Sequence, residues 1–304
     1  MTNDQRTLPA ENTLVPQQLM DRPFEPVPHS YSEQDSISYA LSLGLGANPL
    51  DTGELRYVYE RVTDGLQALP TQANVLGYSG FWANQPGTGI TWQKLVHAEQ
   101  SIVLYRPLPA AGTVLGQTRV VGLHDKGSDK GALLLQERSI VDMTSGELLA
   151  TVKQTSFLRA DGGFGIAYGP SHGKPLAAPH ALPDRLPDVC CDLPTLPQAA
   201  LLYRLNGDLN PLHADPVVAQ AAGFAQPILQ GLATMGVAMH AVLKALLDYD
   251  ATAVRGMRVR FTAPALPGDT LRTELWRDGA VVSLRTTALE RGAVVLNAGR
   301  VDLA

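Results

Sequence analysis

The chain has 304 residues, of which 45% are hydrophobic and 17% charged. A chain of this length and composition can bury one large core or two of ordinary size, which excludes a disordered protein. Its formal net charge of -5 and its pI near 5.8 argue against nucleic acid as a partner, because such proteins carry a clustered basic face. The only two cysteines, Cys190 and Cys191, are too few for a disulfide framework and are typical of a reducing compartment.

Residues 1–30 predict a polar extension that contains prolines and lies along the surface. They lack the apolar segment of a signal peptide and contain four acidic residues, which disfavour a transit peptide. The longest apolar stretch, Gly231 to Leu247, is too short and too polar to span a bilayer. We therefore expect a cytoplasmic protein without a membrane partner.

Two motifs recur at a spacing of about half the chain. Tyr39-Ala-Leu-Ser-Leu-Gly resembles Tyr203-Arg-Leu-Asn-Gly, and Tyr105-Arg-Pro-Leu-Pro-Ala-Ala-Gly resembles Phe261-Thr-Ala-Pro-Ala-Leu-Pro-Gly. A repeat at this spacing predicts a duplicated domain. Glycine and proline are frequent in residues 161–197, so we predict a linker there, between a first domain at 31–160 and a second at 198–304.

Each half ends in segments rich in Val, Leu and Thr that are separated by turn signals, a pattern typical of an antiparallel meander. The predicted strands are 114–121, 132–142 and 148–158 in the first half, and 255–262, 270–276, 281–289 and 293–302 in the second. In the second half Asp215 and Pro216 predict the start of a short helix that Gly223 closes. A second helix is predicted from about Pro227 to about Leu247, and it must be wrapped by a sheet because it is apolar on nearly every face.

The strongest functional signal is a set of polar residues between the two helical regions of the second half. Asp208, Asn210 and His213 fall within six residues, and a carboxylate, an amide and an imidazole can together hold and deprotonate one water. The alternative is that Asp208 caps a turn and His213 bonds a backbone carbonyl. Gly231 lies at the start of the apolar helix, where a free N–H can bind a ligand oxyanion, although the glycine can also serve close packing alone.

These motifs resemble a known family. Tyr203-Arg-Leu-Asn-Gly-Asp-Leu-Asn-Pro-Leu-His, followed by Gly223-Phe-Ala-Gln-Pro-Ile-Leu-Gln-Gly-Leu, resembles the hydratase 2 motif of the MaoC-like enoyl-CoA hydratases. Leu95-Val-His-Ala-Glu-Gln, Arg106-Pro-Leu-Pro, His124-Asp-Lys-Gly and the segment Phe157 to Gly165 resemble the non-catalytic half of two-domain members. The resemblance implies an α+β double hot-dog fold, in which each repeat wraps a long helix in a curved antiparallel sheet. It also implies reversible hydration of a trans-2-enoyl-CoA to the (3R)-3-hydroxyacyl-CoA, without metal or redox cofactor.

The resemblance assigns roles residue by residue. Asp208 and His213 activate the water, Asn210 orients it, and the Gly231 N–H binds the thioester oxygen. The first half is expected to hold the acyl chain. Predicted contacts to the acyl-CoA are His97, Ala98, Lys126, Leu209, Pro211, Leu212, Gln230 and Phe261. Two departures from the family pattern are Gln230, where a histidine is usual, and Asn206, where a small residue is usual.

Several alternatives stay open at this stage. The substrate can be a specialised acyl thioester, whether branched, dicarboxylic, steroid or linked to a carrier protein. A protein of another class, a non-catalytic subunit that binds acyl thioesters, is disfavoured because it needs neither Asp208 nor His213. Metal binding by Asp208, His213, Asp215 and His240 is a minor alternative. A homodimer is a further possibility.

Overall fold

The computed structural model describes residues 14–304; residues 1–13 of the predicted extension lie outside the described part of the chain. Seven α-helices occur in the described part: α1 Pro16–Met20, α2 Glu33–Ser42, α3 Leu55–Val58, α4 Gly165–Tyr168, α5 Ala199–Arg204, α6 Pro216–Ala221 and α7 Gly231–Leu246. None of the helices within residues 14–304 is long and apolar enough to cross a membrane.

The strands of residues 14–304 form one sheet. Their bounds are β1 Val27–Tyr31, β2 Leu95–Leu104, β3 Gly112–Asp125, β4 Ala132–Asp142, β5 Leu148–Leu158, β6 Ser171–Gly173, β7 Val189–Pro194, β8 Val254–Phe261, β9 Thr270–Asp278, β10 Val281–Ala288 and β11 Ala293–Leu303. The order is β1-β3-β4-β5-β2-β8-β11-β10-β9-β7, with β6 pairing β3, and all pairs are antiparallel. The predicted meander is confirmed for β3-β4-β5 in the first half and for β9-β10-β11 in the second, where β8 pairs with β11 instead of with the next strand, β9.

The two halves meet where β2 pairs with β8. In this pairing Ser101 lies opposite Arg258 and Ile102 lies opposite Met257. Residues related by the sequence repeat also meet elsewhere, because the rings of Tyr39 and Tyr203 have centroids 5.9 Å apart. Contacts between equivalent residues are what a pseudo-two-fold axis between the repeats requires. The double hot-dog fold is confirmed.

Helix α7 lies in the core. Eleven of its sixteen residues are buried, and the only basic residue of its last turn is Lys244. A side chain on Gly236 would meet the side chain of Leu43 at 2.6 Å, so glycine is needed there for close packing. The helix begins four residues after the predicted Pro227, because Leu229 pairs its N–H with the carbonyl of Ala265 and Gln230 is not helical.

The helices of the two halves differ. The longest in the first half is α2, whose start is fixed by a capping box between Ser32 and Asp35. The segment that precedes β2 contains instead a short 3₁₀ turn, Pro70–Asn74, all five residues of which are buried. This turn packs against α7 of the second half. The first half therefore contributes backbone and polar side chains directly to the centre of the molecule.

The stretch predicted as a linker is more ordered than expected. Residues 161–197 contain α4, β6 and β7, and β7 pairs with β9 of the second half. The many prolines and glycines of this stretch predicted no strands, but β6 and β7 form there. Proline is tolerated in strands at the edge of a sheet. The division of the chain at 160 and 198 stays a prediction.

Candidate active site

The site is built on the segment between α5 and α6, as the sequence predicted. Asp208 follows the three-residue turn that ends α5. Its Oδ1 accepts the backbone N–H of Asn210 at 3.2 Å. The Oδ1 of Asn210 in turn accepts the N–H of Leu212 at 3.1 Å and so caps a 3₁₀ turn, Pro211–His213. These local bonds fix the loop on which the predicted water-binding side chains lie.

His213 ends that 3₁₀ turn and is 8% exposed. Its Nδ1 lies 2.8 Å from the carbonyl oxygen of Ile228. A carbonyl can only accept, so Nδ1 carries a proton, and in the neutral form of the ring Nε2 keeps its lone pair. The hydrogen bond from His213 to a backbone carbonyl, which was the alternative interpretation of this residue, therefore occurs. It uses only Nδ1, so the other ring nitrogen, Nε2, is not engaged by this bond.

Gly231 is the first residue of α7, where the N–H has no carbonyl four residues earlier to bond. The positive end of the helix dipole is at the same place. The ring of Phe261 lies directly over this residue, since a Cβ built on Gly231 would be 3.0 Å from Cε1 of Phe261. Glycine is therefore required if the N–H and the ring are to face one ligand.

Gln230 precedes Gly231 and is 1% exposed. Its Nε2 donates to the carbonyl of Ala200 in α5 at 2.9 Å, while its Oε1 has no partner among the described residues. One of the two N–H groups of this amide is thus used within the protein. A contact between Gln230 and a substrate stays a prediction, for which the second N–H and Oε1 have capacity.

The first half supplies His97 and Ala98 to the same place. The ring of His97 meets that of Phe261 edge to face, with centroids 4.8 Å apart. Ala98 is the extra residue of a β-bulge, because His97 pairs with Ser156 whereas Glu99 pairs with the adjacent Thr155. The predicted contact residues His97, Phe261 and Gly231 are therefore brought together.

The pKa of His97 is affected by Asp208, which lies on the loop between α5 and α6. Burial lowers this pKa to about 4, against the opposing effects of the Gln100 side chain, the Glu99 backbone and the negative charge of Asp208. Asp208 also adds to the effect of burial in raising the pKa values of Tyr78 and Tyr203. Asp208 thus lies within electrostatic reach of two first-half residues, His97 and Tyr78.

The remaining predicted contacts lie at the rim. Leu209 is 64% exposed, Asn210 and Pro211 are also exposed, and Leu212 is partly buried. Lys126 is exposed on the loop between β3 and β4. That loop is held by Asp125, which accepts N–H groups from Gly127, Gly163 and Gly165. Binding of the acyl-CoA by these residues stays a prediction.

The sequence did not identify the polar residues behind His97. The side chain of Gln100 forms a hydrogen bond with that of His97, and the side chain of Asn74 accepts one from Gln100. The spacing in Leu95-Val-His-Ala-Glu-Gln was visible, but only the bulge at Ala98 places His97 and Gln100 together. Asn74 had no sequence signal. His240, named above as a minor candidate for metal binding, hydrogen-bonds the side chain of Glu54 at 3.2 Å.

Chemically the candidate residues are a carboxylate on the loop after α5, an imidazole at the end of the following 3₁₀ turn and the first N–H of α7. The first two suit activation of a water, and the third suits an oxygen that gains negative charge. Within residues 14–304 there is no group of three or more His, Cys, Asp or Glu residues placed to hold a metal ion. The fold and the site define a double hot-dog protein of the hydro-lyase type.

Comparison with known families agrees with this class. Residues 29–160 match the MFE-2 hydratase 2 N-terminal domain, and residues 180–298 match the MaoC like domain. The chain is 41% identical over 283 residues to the peroxisomal enoyl-CoA hydratase 2 of Arabidopsis thaliana, covering 90% of this chain and 91% of that protein. It is 40% identical to the enoyl-CoA hydratase ChsH3 of Mycobacterium tuberculosis, covering 90% of this chain and 93% of the relative.

A solved structure shows the same fold. The MaoC-like dehydratase from Phytophthora capsici superposes with a TM-score of 0.82 at 31% identity, covering 95% of this chain and 98% of that one. The chain belongs to the MaoC-like enoyl-CoA hydratase 2 family, in its two-domain form. The family resemblance predicted from the motifs is confirmed.

Proposed function

We propose that the protein catalyses the reversible hydration of a trans-2-enoyl-CoA to the (3R)-3-hydroxyacyl-CoA in fatty-acid or related acyl-CoA metabolism. The observation that carries this proposal is the bond from His213 Nδ1 to the carbonyl of Ile228. It leaves Nε2 as the basic nitrogen of the neutral ring, on the segment that also bears Asp208, and an imidazole and a carboxylate that share one water can take a proton from it. The names of the relatives support the same reaction.

The chemistry follows from the geometry. Water adds to C3 of the enoyl thioester while a proton reaches C2, and negative charge develops on the thioester oxygen in between. Asp208 and His213 hold the water, take its proton as it adds to C3 and then act as the acid that protonates C2, which contributes about 10² to 10⁴-fold. The Gly231 N–H donates to the thioester oxygen, and one such donor is worth about 3 kcal/mol. None of these steps needs a metal or redox cofactor, and we propose that the protein uses none.

Four further features belong to this proposal. The first half holds the acyl chain, and Lys126 meets the nucleotide part of the substrate. The protein works in the cytoplasm, in agreement with its two free cysteines, Cys190 and Cys191. It acts as a single chain or a homodimer.

The test is hydration of trans-2-enoyl-CoA esters from about four carbons upward, after exhaustive chelation, with the product configuration determined by dehydrogenases specific for each enantiomer. We expect undiminished activity and a (3R) product. Loss of activity on chelation or a (3S) product would contradict the mechanism. Binding of enoyl-CoA without turnover would instead identify a non-catalytic acyl-thioester-binding protein.

A further inference from the structure

A series of buried hydrogen bonds runs from α7 to His97. The Nδ2 of Asn74 lies 3.7 Å from Sδ of Met235 in α7. The Oδ1 of Asn74 accepts from Nε2 of Gln100 at 2.8 Å. The Oε1 of Gln100 lies 2.9 Å from Nε2 of His97. Asn74, Gln100 and Met235 are all nearly inaccessible to solvent, at 3%, 2% and 0% exposure.

The order of donors and acceptors in this series of hydrogen bonds is set at its α7 end. A thioether sulfur is an acceptor only, so the side of the Asn74 amide that faces Met235 must be its N–H₂. The carbonyl of Asn74 then faces Gln100 and requires a donor, which orients the Gln100 amide as well. The oxygen of Gln100 is left for His97, so the ring nitrogen that faces it must carry the proton.

The backbone makes this contact possible. Residues three apart in a regular strand lie on opposite faces of the sheet. The bulge at Ala98 shifts the alternation by one residue, which puts His97 and Gln100 on the same face. The 3₁₀ turn that carries Asn74 is held in place from the other side, since Arg138 donates to the carbonyls of Ala73 and Asn74 at 3.2 and 2.6 Å.

We propose that Asn74 and Gln100 are positioning residues that hold His97 with its Nε2 protonated, beside the site loop. The ring then supports Phe261 over Gly231 without carrying a positive charge next to Asp208. A protonated His97 would form an ion pair with Asp208 and so compete with the water that this carboxylate is proposed to hold. The kinetic consequence rests on the proposed function; the tautomer does not.

The charged groups around His97 are few. Asp208 acts on it from the site loop. The carboxylate of Glu99, next along β2, is paired with Arg260 of β8 at 2.9 Å. Ser156, opposite on β5, is uncharged. A new carboxylate at position 100 would therefore dominate the charge on His97.

The first measurement is the tautomer itself, by NMR of the full chain labelled with ¹⁵N-histidine, with His97 assigned by comparison with His97→Asn. We expect the Nε2–H form, neutral down to about pH 5. The Nδ1–H form would overturn the proposal, since it requires every amide in the series to be reversed. This measurement uses no substrate, so its failure is distinct from failure of the proposed hydration.

The second measurement is the pH dependence of kcat in Gln100→Glu. Its carboxylate accepts from His97 and raises the pKa of that ring. We expect kcat about tenfold below wild type at pH 6 and within about threefold at pH 9, where His97 has lost its extra proton. A loss of equal size at both pH values would show a merely structural role for Gln100 and overturn the proposal.

Asn74→Asp is the conservative variant. It keeps the acceptor for Gln100, and its charge has the buried guanidinium of Arg138 nearby. We expect it to keep the Nε2–H tautomer of His97 and kcat within about threefold of wild type at pH 6. The Nδ1–H tautomer in this variant would contradict the series of donors.

Discussion

The imidazole of His213 donates from Nδ1 to the carbonyl oxygen of Ile228, 2.8 Å away. This contact joins the 3₁₀ turn after the site loop to the segment that leads into α7. It therefore sets both the tautomer of the histidine and its position relative to Gly231.

The first prediction concerns Asp208 and His213. Since both are proposed to act on one water, Asp208→Asn and His213→Ala should each reduce hydration of a 2-enoyl-CoA by at least about 10²-fold with folding intact. The double variant should lose little more than the worse single one. Steady-state kinetics and circular dichroism of the three variants provide the check.

Asp35→Asn is the matched control for charge removal. Asp35 belongs to the capping box of α2, far from the reacting atoms in the proposed mechanism. We expect turnover within about threefold of wild type and a loss of about 1 kcal/mol in unfolding free energy. Replacing His124, which is buried between the Ser171 hydroxyl and the Lys174 carbonyl, should likewise leave the turnover of correctly folded protein unchanged. Near-wild-type activity in Asp208→Asn would remove the mechanism.

The second prediction concerns the amide of Gly231. In Gly231→Ala the new methyl group meets the ring of Phe261 at 3.0 Å, so the ring or the bound thioester must move. We expect kcat/KM to fall by about 10 to 10²-fold. Gly236→Ala on the same helix, where the methyl meets the side chain of Leu43, should lower thermal stability and leave kcat unchanged. Equal kinetics in the two variants would exclude an oxyanion role for Gly231.

The third prediction concerns Lys126. If this exposed lysine meets a phosphate of the substrate, Lys126→Ala should raise KM by about three- to tenfold while kcat stays the same. The difference between the variant and wild type should shrink as salt is added, because exposed charges are screened. Lys94→Ala, also exposed, is the control and should leave KM unchanged. A collapse of kcat with KM unchanged would place Lys126 in the chemistry.

The fourth prediction concerns Glu54, whose side chain is 2% exposed and contacts His240 and Lys244, both at 3.2 Å. Burial opposes its ionisation, but the His240 side chain, the Gly46 N–H and Lys244 outweigh it and lower the pKa of Glu54 from 4.5 to about 2. A carboxylate whose pKa is lower in the folded than in the unfolded protein stabilises the fold at pH values above its unfolded pKa. This stabilisation is lost as the pH falls through the pKa of the folded protein.

Glu54→Gln should therefore lower the unfolding free energy by about 3 kcal/mol at neutral pH, and the difference should vanish as the pH falls from about 4.5 to about 2. Denaturant titrations across this range measure it. Glu147→Gln breaks an exposed pair with Arg106 and should cost less than about 1 kcal/mol at any pH. A pH-independent cost for Glu54→Gln would show that the residue acts through packing.

The sequence was most informative where function and fold are encoded locally. The predicted strands at 132–142 and 148–158 match β4 and β5 at both ends, and the Asp215 cap, Pro216 and Gly223 delimit α6 as expected. β2 was missed because the polar side chains of His97, Glu99 and Gln100 interrupt its apolar pattern. β7 was missed because it lies among prolines.

The composite part of the site could not be predicted in the same way. Asn74, Gln100 and Met235 come from three separate segments that meet because the 3₁₀ turn Pro70–Asn74 packs against both β2 and α7. No spacing within one segment encodes such a contact. The bulge at Ala98 is equally hidden, since it is defined by pairing with β5 and not by its own sequence.

Among the described residues, β7 forms one outer edge of the sheet, and β1 lies at the other edge together with the short β6. Strands β1 and β7 each contain a proline, Pro28 in β1 and Pro194 at the end of β7. Proline has no N–H, so an additional strand docking on either of these two strands would find a donor missing from the ladder. A sheet of eleven strands is a large template for amyloid-like growth. Pro28 and Pro194 make β1 and β7 poor sites for the addition of another chain.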